Sequence, residues 1–274
     1  MANRHFGELG DVWKHLPLAE VLRLNPPRHY WETHAGSAAY TLTDSPARLH
    51  GALRFRARAP ADPELAECSY LAALRAVPGV YPGSPSLAMR ALGYDAHYLF
   101  CDTDPESAQS LREAGAHIGV RVVEEDGVST IRREATSAAV SPSEVLVLID
   151  PYEPHERLRP DGMTPVELAA FLIGCGYRLF YWYGYDSIDE RGWASEEISR
   201  LVPGVDLWCG DVTIPSPFVY PERSGVWGCG VVLANMTSTE VQMCARLGKA
   251  LERISADDVL PGNEPARLEF AVIH

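Results

Sequence analysis

Two apolar segments of the chain end abruptly at polar or small residues. Residues 145–149 form an unbroken run of Val, Leu and Ile that stops at Asp150, and a shorter β-prone run at residues 30–32 stops at a Thr-His-Ala-Gly sequence. Unbroken apolar runs are typical of parallel strands buried on both faces of a sheet. In open α/β sheets, ligands bind beyond the carboxyl ends of such strands. We therefore expect both segments to open onto one ligand crevice.

Strand-like and helix-like segments alternate along most of the chain. Seven segments have the pattern of core strands and an eighth that of a terminal strand: residues 29–34, 96–101, 120–123, 144–149, 177–183, 205–209, 228–234 and 267–273. The main helices are predicted at residues 104–114, 164–173, 189–201 and 238–254. Such alternation requires crossover connections. It predicts an α/β, Rossmann-like fold with a mainly parallel seven-stranded sheet covered on both faces.

The N-terminal third departs from this alternation. Leu9–Leu24 has apolar residues at mostly helical spacing, although Pro17 predicts a kink or a later helix start. Residues 41–83 hold turn-rich flanks around an amphipathic segment, Asp62–Ala76, whose first residue would be the N-cap. We interpret residues 41–83 as a small helical subdomain inserted into a single domain that spans residues 1–274.

The charge of the chain bears on its partners. The formal net charge is −13, whereas nucleic-acid binders usually carry a basic face that releases counterions from phosphates. Arg54, Arg56 and Arg58 alternate in the best candidate for a basic strip, which we interpret as a solvated strand or loop surface. The chain has only two lysines, Lys14 and Lys249, so the lysine beside His15 is a candidate functional residue.

Composition also indicates the compartment. No apolar run reaches the roughly 18 residues that span a bilayer, and the N-terminus lacks a signal-peptide pattern. We therefore expect a cytoplasmic protein. The six cysteines form no C-x-x-C pair and the nine histidines are scattered, so we expect reduced, buried cysteines and no metal site.

The strand ends, taken in order, carry groups that suit a nucleoside cofactor. Asp102 follows the second core strand, where its two acceptor oxygens could bind both ribose hydroxyls. Asp126 follows the third strand and could accept from an adenine amino group, while Gly36 allows close approach of the backbone to the cofactor. No G-x-G-x-x-G or G-x-x-x-x-G-K-S/T motif is present. The order of these residues favours S-adenosylmethionine.

Asp150-Pro151-Tyr152 is the grouping that methyltransferases use to hold a planar nitrogen nucleophile. The carboxylate can accept N–H bonds and orient the nitrogen lone pair, and the ring can stack on the acceptor. Positioning of this kind supplies roughly 7–11 kcal/mol in intramolecular reactions. The alternative interpretation is an Asp-Pro turn that only ends a strand. We predict a class I S-adenosylmethionine-dependent methyltransferase with Asp150, Pro151 and Tyr152 in its catalytic site.

Several motifs together resemble those of the RlmJ-type large-subunit ribosomal RNA adenine-N6 methyltransferases. They are His5-Phe6-Gly7 followed by Asp11-Val12-Trp13-Lys14-His15, Thr33-His34-Ala35-Gly36, Tyr81-Pro82-Gly83-Ser84-Pro85, Asp126-Gly127, Leu148-Ile149-Asp150-Pro151-Tyr152-Glu153 and Gly228-Cys229-Gly230. The similarity extends over nearly the whole chain. It implies a cofactor pocket and an active site at defined positions.

The resemblance implies a role for each matched residue. Lys14 would lie near the active site as a further catalytic residue. The S-adenosylmethionine pocket would be lined by His15, His34, Ala35, Gly36, Ser84, Asp102, Asp126, Gly127 and Asp150. Asp102 stands where the family has Glu, which shortens the side chain but keeps the carboxylate.

Departures from the family pattern concern the acceptor. The family's D-P-P-Y has lost one proline, so either Tyr152 keeps the stacking role or Glu153 lies where the ring was. A late N-P-P-W motif is replaced by Asn235-Met236-Thr237-Ser238. With the acidic net charge, these changes favour N-methylation of a small amine or heteroaromatic molecule. The alternatives are N6-methylation of a ribosomal RNA adenine and a non-catalytic protein that binds S-adenosylmethionine or RNA.

Overall fold

A computed structural model describes residues 6–137, 139–158, 160–220, 223–259 and 266–273. Its strands are β1 His29–Glu32, β2 Ala39–Thr41, β3 Val80–Pro82, β4 His97–Cys101, β5 Arg121–Val123, β6 Val145–Ile149, β7 Arg178–Tyr185, β8 Leu207–Pro215, β9 Val226–Ala234 and β10 Glu269–Ile273. Its α-helices are α1 Leu9–Leu24, α2 Pro46–His50, α3 Ala52–Arg58, α4 Ser69–Ala76, α5 Ser84–Leu92, α6 Pro105–Gly115, α7 Gly127–Ser137, α8 Pro165–Gly174, α9 Trp193–Leu201, α10 Ser216–Val219 and α11 Ser238–Arg253.

The main sheet has the order β10-β8-β9-β7-β6-β1-β4-β5. The pairings β1–β4, β1–β6, β4–β5 and β6–β7 are parallel, whereas β7–β9, β8–β9 and β10–β8 are antiparallel. The α/β fold and its mainly parallel sheet are confirmed, but the sheet has eight strands and not seven. The additional strand is β10, because the predicted terminal segment pairs with β8 and joins the sheet. The strand order reverses beside β1, where α/β sheets form a ligand crevice.

Two apolar layers cover the sheet. One contains α1, α5 and α11 residues packed on one face, and the other contains α7, α8 and α9 residues packed on the opposite face. Successive residues of β6 alternate between the two layers, with Leu146 and Leu148 on the α1 side and Val147 and Ile149 on the other. This alternation explains why the run contains no polar residue.

Helix α1 runs from Leu9 to Leu24 through Pro17, so the expected late start near His15 is wrong. Pro17 removes one intrahelical N–H, but nearly every residue from Leu9 to Leu22 is buried. The Trp13 indole also donates to the Gly210 carbonyl in β8 at 2.9 Å. Tertiary packing therefore stabilises the helix across the proline. Among the described residues, no helix is long and apolar enough to cross a membrane.

The segment after β1 differs from the prediction in two ways. The helix predicted from Asp62 begins only at Ser69, because residues 63–67 form turns, in which the Asp62 carboxylate accepts from the Glu64 N–H and binds Arg253. The arginine strip lies on helix α3, and its first and last members bind Asp258, so it is not a free basic surface. The assignment of residues 41–83 as an inserted subdomain of a single domain stays a prediction.

Candidate active site

The turn after β1 joins two neighbouring strands at the strand-order reversal. Ala35 N–H donates to the Cys101 carbonyl at the end of β4 at 2.9 Å, and Gly36 N–H donates to Asp102 Oδ2 at 2.7 Å. Gly36 has a φ of 63°, a left-handed conformation that favours glycine. The turn is therefore held at the sheet edge where the sequence predicts the cofactor.

Asp102 is anchored by backbone donors. Its Oδ1 accepts from the Asp104 N–H at 2.8 Å, and its Oδ2 accepts from Gly36. Each carboxylate oxygen has two lone pairs, so both oxygens keep acceptor capacity for a ribose hydroxyl. The structure thus brings Asp102 and Gly36 together, as the sequence predicts.

Asp126 and Gly127 begin helix α7 directly under this turn. Asp126 accepts from the backbone N–H groups of Val128 and Ser129, each at 3.1 Å, so it caps the helix. A Cβ on Gly127 would lie 1.8 Å from the Thr33 carbonyl oxygen. Gly127 therefore allows α7 to approach β1. The sequence motif predicted contact with the cofactor for this residue and gave no indication of this packing role.

The His34 ring lies close enough to the carboxylates of Asp150, Asp102 and Asp126 for their charges to affect its pKa. Its Nδ1 is 2.7 Å from the Thr33 hydroxyl. Burial lowers its pKa, although the negative charges of Asp150, Asp102 and Asp126 act in the opposite direction. The ring is therefore predominantly neutral near pH 7 and can donate or accept one hydrogen bond at each nitrogen, depending on the tautomer.

A buried ion pair connects α1 to the end of β6. Lys14 Nζ lies 2.5 Å from Asp150 Oδ2 and 3.0 Å from Asp11 Oδ1. Burial by itself lowers the pKa of Lys14, but the charges of Asp150 and Asp11 outweigh it and raise the pKa. The Lys14 and Asp150 side chains keep exposures of 10% and 18%, so the pair borders solvent. A permanently charged lysine thus orients Asp150.

A second carboxyl group, which the sequence did not single out, lies beside this pair. Glu32 is fully buried at the end of β1, and its Oε2 accepts from the Ser84 hydroxyl at 3.0 Å. Burial raises the pKa of Glu32 to about 8, so the group is mostly protonated at neutral pH.

His15 is enclosed in the core on the α1 side. Its Nδ1 is 2.7 Å from the Tyr81 hydroxyl, which lies 3.3 Å from the Tyr70 hydroxyl. Burial lowers the pKa of His15 to about 3, and its Nε2 is a buried atom without a partner among the described residues. The ring is neutral and keeps one free hydrogen-bonding position.

Tyr152 does not enter this site. Pro151 is buried, but the chain turns outward after it and leaves the Tyr152 ring 86% exposed. Glu153 is exposed as well. The Tyr152 ring therefore does not lie against Asp150, and the Glu153 side chain does not take its place.

The aromatic strand β7 has one ring in reach of the site. Tyr183 and Tyr185 are buried, and their hydroxyls donate to Asp211 and contact Thr213. Trp182 is half-buried on the opposite face, with its ring centroid 5.6 Å from Lys14 Nζ. The sequence did not single out Trp182. The period-two alternation of side chains along β7 puts it on the same face as Phe180, and this alternation could have identified it.

A separate cleft of about 670 Å³ opens beside the ends of β6 and β7. Its walls are acidic and aromatic, with the Trp193 and His155 rings packed at a tilt of 46° and 4.9 Å between centroids. The lining residues are Pro154, His155, Gly184, Glu190, Trp193, Glu196, Glu197 and Arg200. In the part of the chain that the structure describes, no cluster of three or more His, Cys, Asp or Glu could hold a metal ion.

The donors and acceptors at the strand ends fit S-adenosylmethionine. Asp102 keeps acceptor capacity for hydroxyls, and His15 Nε2 is a buried polar atom of α1 without a partner among the described residues. S-adenosylmethionine has hydroxyl groups on its ribose and amino and carboxylate groups on its methionine part, and these groups can form hydrogen bonds with such atoms.

Comparison with known families supports the same chemistry. A profile of the family described as "Ribosomal RNA large subunit methyltransferase D, RlmJ" matches residues 25–161, half of the chain. The chain belongs to the RlmJ family. It is therefore an S-adenosylmethionine-dependent methyltransferase, and S-adenosylmethionine is its cofactor. The resemblance inferred from the motifs is confirmed.

A solved structure supports the fold of this RlmJ-family chain. Protein LPL1258 of Legionella pneumophila, a DUF519 protein, has a TM-score of 0.69 and 20% identity, covering 98% of each chain. A probable spermidine synthase of Corynebacterium glutamicum has a TM-score of 0.45 and 15% identity over 96% of this chain and 75% of that one. A SAM-dependent methyltransferase of Agrobacterium tumefaciens has a TM-score of 0.44 and 11% identity over 85% and 64%. Only the first similarity is close enough to support the fold. No curated protein matches the chain significantly.

Proposed function

We propose that this enzyme methylates the exocyclic N6 of an adenine in large-subunit ribosomal RNA. The observation that carries the proposal is the Lys14–Asp150 pair at the end of the central strand β6, in a chain of the RlmJ family. An adenine acceptor agrees with the family better than the small amine favoured by net charge alone. An acceptor of this kind also agrees with a cytoplasmic enzyme.

Asp150 is the group that orients the acceptor nitrogen. Lys14 engages Oδ2, so Oδ1 is the oxygen available to accept an N–H of the acceptor. An adenine amino group has its lone pair delocalised into the ring, and an accepted N–H bond on one side directs that lone pair toward the methyl group. S-adenosylmethionine, when bound, would supply an electrophilic methyl group on a sulfonium sulfur. The N6–C bond would form as the S–C bond breaks with its electron pair left on sulfur, and the excess N6 proton would be released to solvent. Positioning is the main contribution of the protein.

The cofactor pocket is proposed at the strand ends. Asp102 would bind the ribose hydroxyls, Asp126 the adenine amino group, and Gly36 would admit the backbone close to the methionine part. His15, His34, Ala35, Ser84, Gly127 and Asp150 would complete the lining. Support comes from the contacts of Gly36 with Asp102, of Ala35 with Cys101 and of Gly127 with Thr33 at the turn after β1, and from the resemblance of the set to the family motifs.

The test is a methylation assay with labelled S-adenosylmethionine and unmodified large-subunit ribosomal RNA. Wild-type enzyme should label one adenine, with a rate that falls steeply with salt because phosphate contacts release counterions. Asp150→Asn should keep much of the cofactor affinity and lose most turnover, since the neutral amide is a weaker acceptor. Wild-type turnover by Asp150→Asn would show that Asp150 only ends a strand.

A small amine is the second candidate acceptor. It is favoured by the acidic cleft beside β6 and β7, where Glu190, Glu196 and Glu197 surround Trp193, an arrangement that attracts organic cations. Methylation of an amine or heteroaromatic molecule with little salt dependence, and no labelling of ribosomal RNA, would favour this candidate over the first.

A further inference from the structure

The proposed acceptor site lacks the ring that the sequence assigns to it. A planar acceptor held against a carboxylate needs a flat apolar surface beside it, and base–aromatic stacking is the usual solution. Tyr152 is turned into solvent, and Tyr183 and Tyr185 are buried on the opposite face with bonded hydroxyls. The surface must therefore come from another residue.

Strand register places one ring next to Asp150. β6 and β7 are parallel, with Ile149 level with Tyr181. Continuing this register by one residue sets Asp150 beside Trp182, about 4.8 Å away along the sheet. Both side chains point to the α1 face, since Lys14 of α1 reaches Asp150 and also lies 5.6 Å from the Trp182 ring centroid.

The N-terminus of α1 makes room for this ring. A Cβ on Gly10 would lie 3.0 Å from Trp182 Cζ2 and 3.1 Å from Trp227 Cη2, so glycine allows both indoles to approach the helix. Trp182 and Trp227 are half-buried, so each keeps a solvent-accessible part. Tyr220 packs edge-on against Trp227 at 6.3 Å and extends the aromatic wall.

We propose that Trp182, supported by Trp227, is the residue on which the planar acceptor stacks while Asp150 holds its amino group. This inference rests on the proposed function only in taking the acceptor to be a planar base. It replaces the role that the sequence assigns to Tyr152. It also explains why residue 10 of α1 is a glycine, because a larger residue there would displace the indoles of Trp182 and Trp227.

The first test uses two substitutions of the same side chain. Trp182→Phe keeps an aromatic face, whereas Trp182→Leu keeps apolar bulk and loses the face. Trp182→Leu should lower kcat/KM for the acceptor by about tenfold to a hundredfold, the value of one base–aromatic stack, with cofactor affinity unchanged. Trp182→Phe should restore most of it. Trp208→Leu, a buried tryptophan of β8, controls for stability and should not raise the acceptor KM.

The second test reads binding without turnover. Full-length protein is labelled with 5-fluorotryptophan, and its six indole signals are assigned by single Trp→Phe variants. Adenosine monophosphate, added with S-adenosylhomocysteine, should shift the Trp182 and Trp227 signals and leave that of Trp208 unchanged. If Trp182 does not shift, or if only Trp193 of the acidic cleft does, the stacking proposal is overturned. If Trp182 shifts but ribosomal RNA is not methylated, only the proposed acceptor fails.

Discussion

At the scale of single residues, the Lys14–Asp150 contact combines a cost with a function. Removing two charges from water is unfavourable, and replacing a buried ion pair with apolar residues is often neutral or stabilising. Lys14 nevertheless binds two carboxylates at the mouth of the candidate active site. Its retention there is explained by the orientation of Asp150 better than by stability.

Removal of the lysine charge should be strongly destabilising. Lys14→Met leaves Asp11 and Asp150 without their cation, and loss of one partner of a buried pair costs about 3–5 kcal/mol. Urea unfolding should show this loss, and Lys14→Met/Asp150→Asn should recover part of it. The other lysine is the matched control. Lys249 is exposed beside Glu252, and Lys249→Met should change stability by less than about 1 kcal/mol. Equal effects of the two single substitutions would contradict a buried pair.

Glu32 should make stability fall as pH rises. Burial raises its pKa from 4.5 to about 8, so the folded chain holds a proton that the unfolded chain has released. The stabilisation is complete below about pH 4.5 and is lost as pH approaches 8, with a slope of about 1.4 kcal/mol per pH unit from this group. Glu32→Gln should remove that slope and be the more stable protein near pH 8. Urea midpoints of both proteins across this range provide the measurement, and parallel profiles would show an ionised Glu32.

At the scale of elements, the junction between α7 and β1 sets the position of the cofactor turn. Gly127, at the start of α7, lies against the Thr33 carbonyl, and Asp126 caps the same helix. The carboxyl end of β1 and the amino end of α7 therefore form one unit. The two short motifs that carry them, T-H-A-G and D-G, are separated by about ninety residues in the sequence.

Gly127→Ala should disrupt this junction. Its Cβ would meet the Thr33 oxygen at 1.8 Å, so α7 has to move away from β1. We expect a loss of stability of about 2 kcal/mol or more and a clear rise in the Kd for S-adenosylmethionine. Gly174→Ala is the control, because a Cβ there meets nothing within 4 Å at the end of α8. It should be neutral or slightly stabilising. Unfolding curves measure the stability of both variants, and calorimetric titration measures their affinity for S-adenosylmethionine. Unchanged cofactor affinity in Gly127→Ala would show that the α7–β1 junction does not set the position of the cofactor turn.

At the scale of the whole molecule, β10 connects the C-terminus to the N-terminal helix. It pairs antiparallel with β8, and Phe270 packs edge-on against Trp13 of α1 at 5.3 Å. A Cβ on Gly248 of α11 would lie 2.2 Å from the Phe270 ring, so the ring lies directly on that helix. One side chain of β10 thus links the eighth strand to two helices.

Phe270→Ala should therefore destabilise the entire fold. Truncation of a buried Phe typically costs about 3–5 kcal/mol, and here it also weakens the pairing of β10. Val259, which is half-exposed, supplies a control substitution to Ala with an expected change within about 0.5 kcal/mol. Thermal and urea unfolding measure both. A loss below about 1 kcal/mol for Phe270→Ala would mean that β10 contributes little to the folded state.

Local sequence determined the features that depend on neighbouring residues. The unbroken run at residues 145–149 is strand β6, and Asp104 followed by Pro105 begins α6 as expected from capping preferences. The motifs also determined the family, because specific short sequences survive where overall identity to solved structures has fallen to 20%.

Tertiary structure alone decided which distant side chains meet and which face each presents. Lys14 and Asp150 are 136 residues apart, and no local pattern encodes their contact. The burial of Glu32, the outward turn at Tyr152 and the pairing of β10 depend likewise on packing between elements. Trp182 shows the limit clearly, because period-two alternation separates it from Tyr181 and Tyr183 but cannot say which face of the sheet meets α1. Sequence fixes local conformation through neighbouring residues, whereas a site at the strand ends exists only after the crossovers have assembled the sheet.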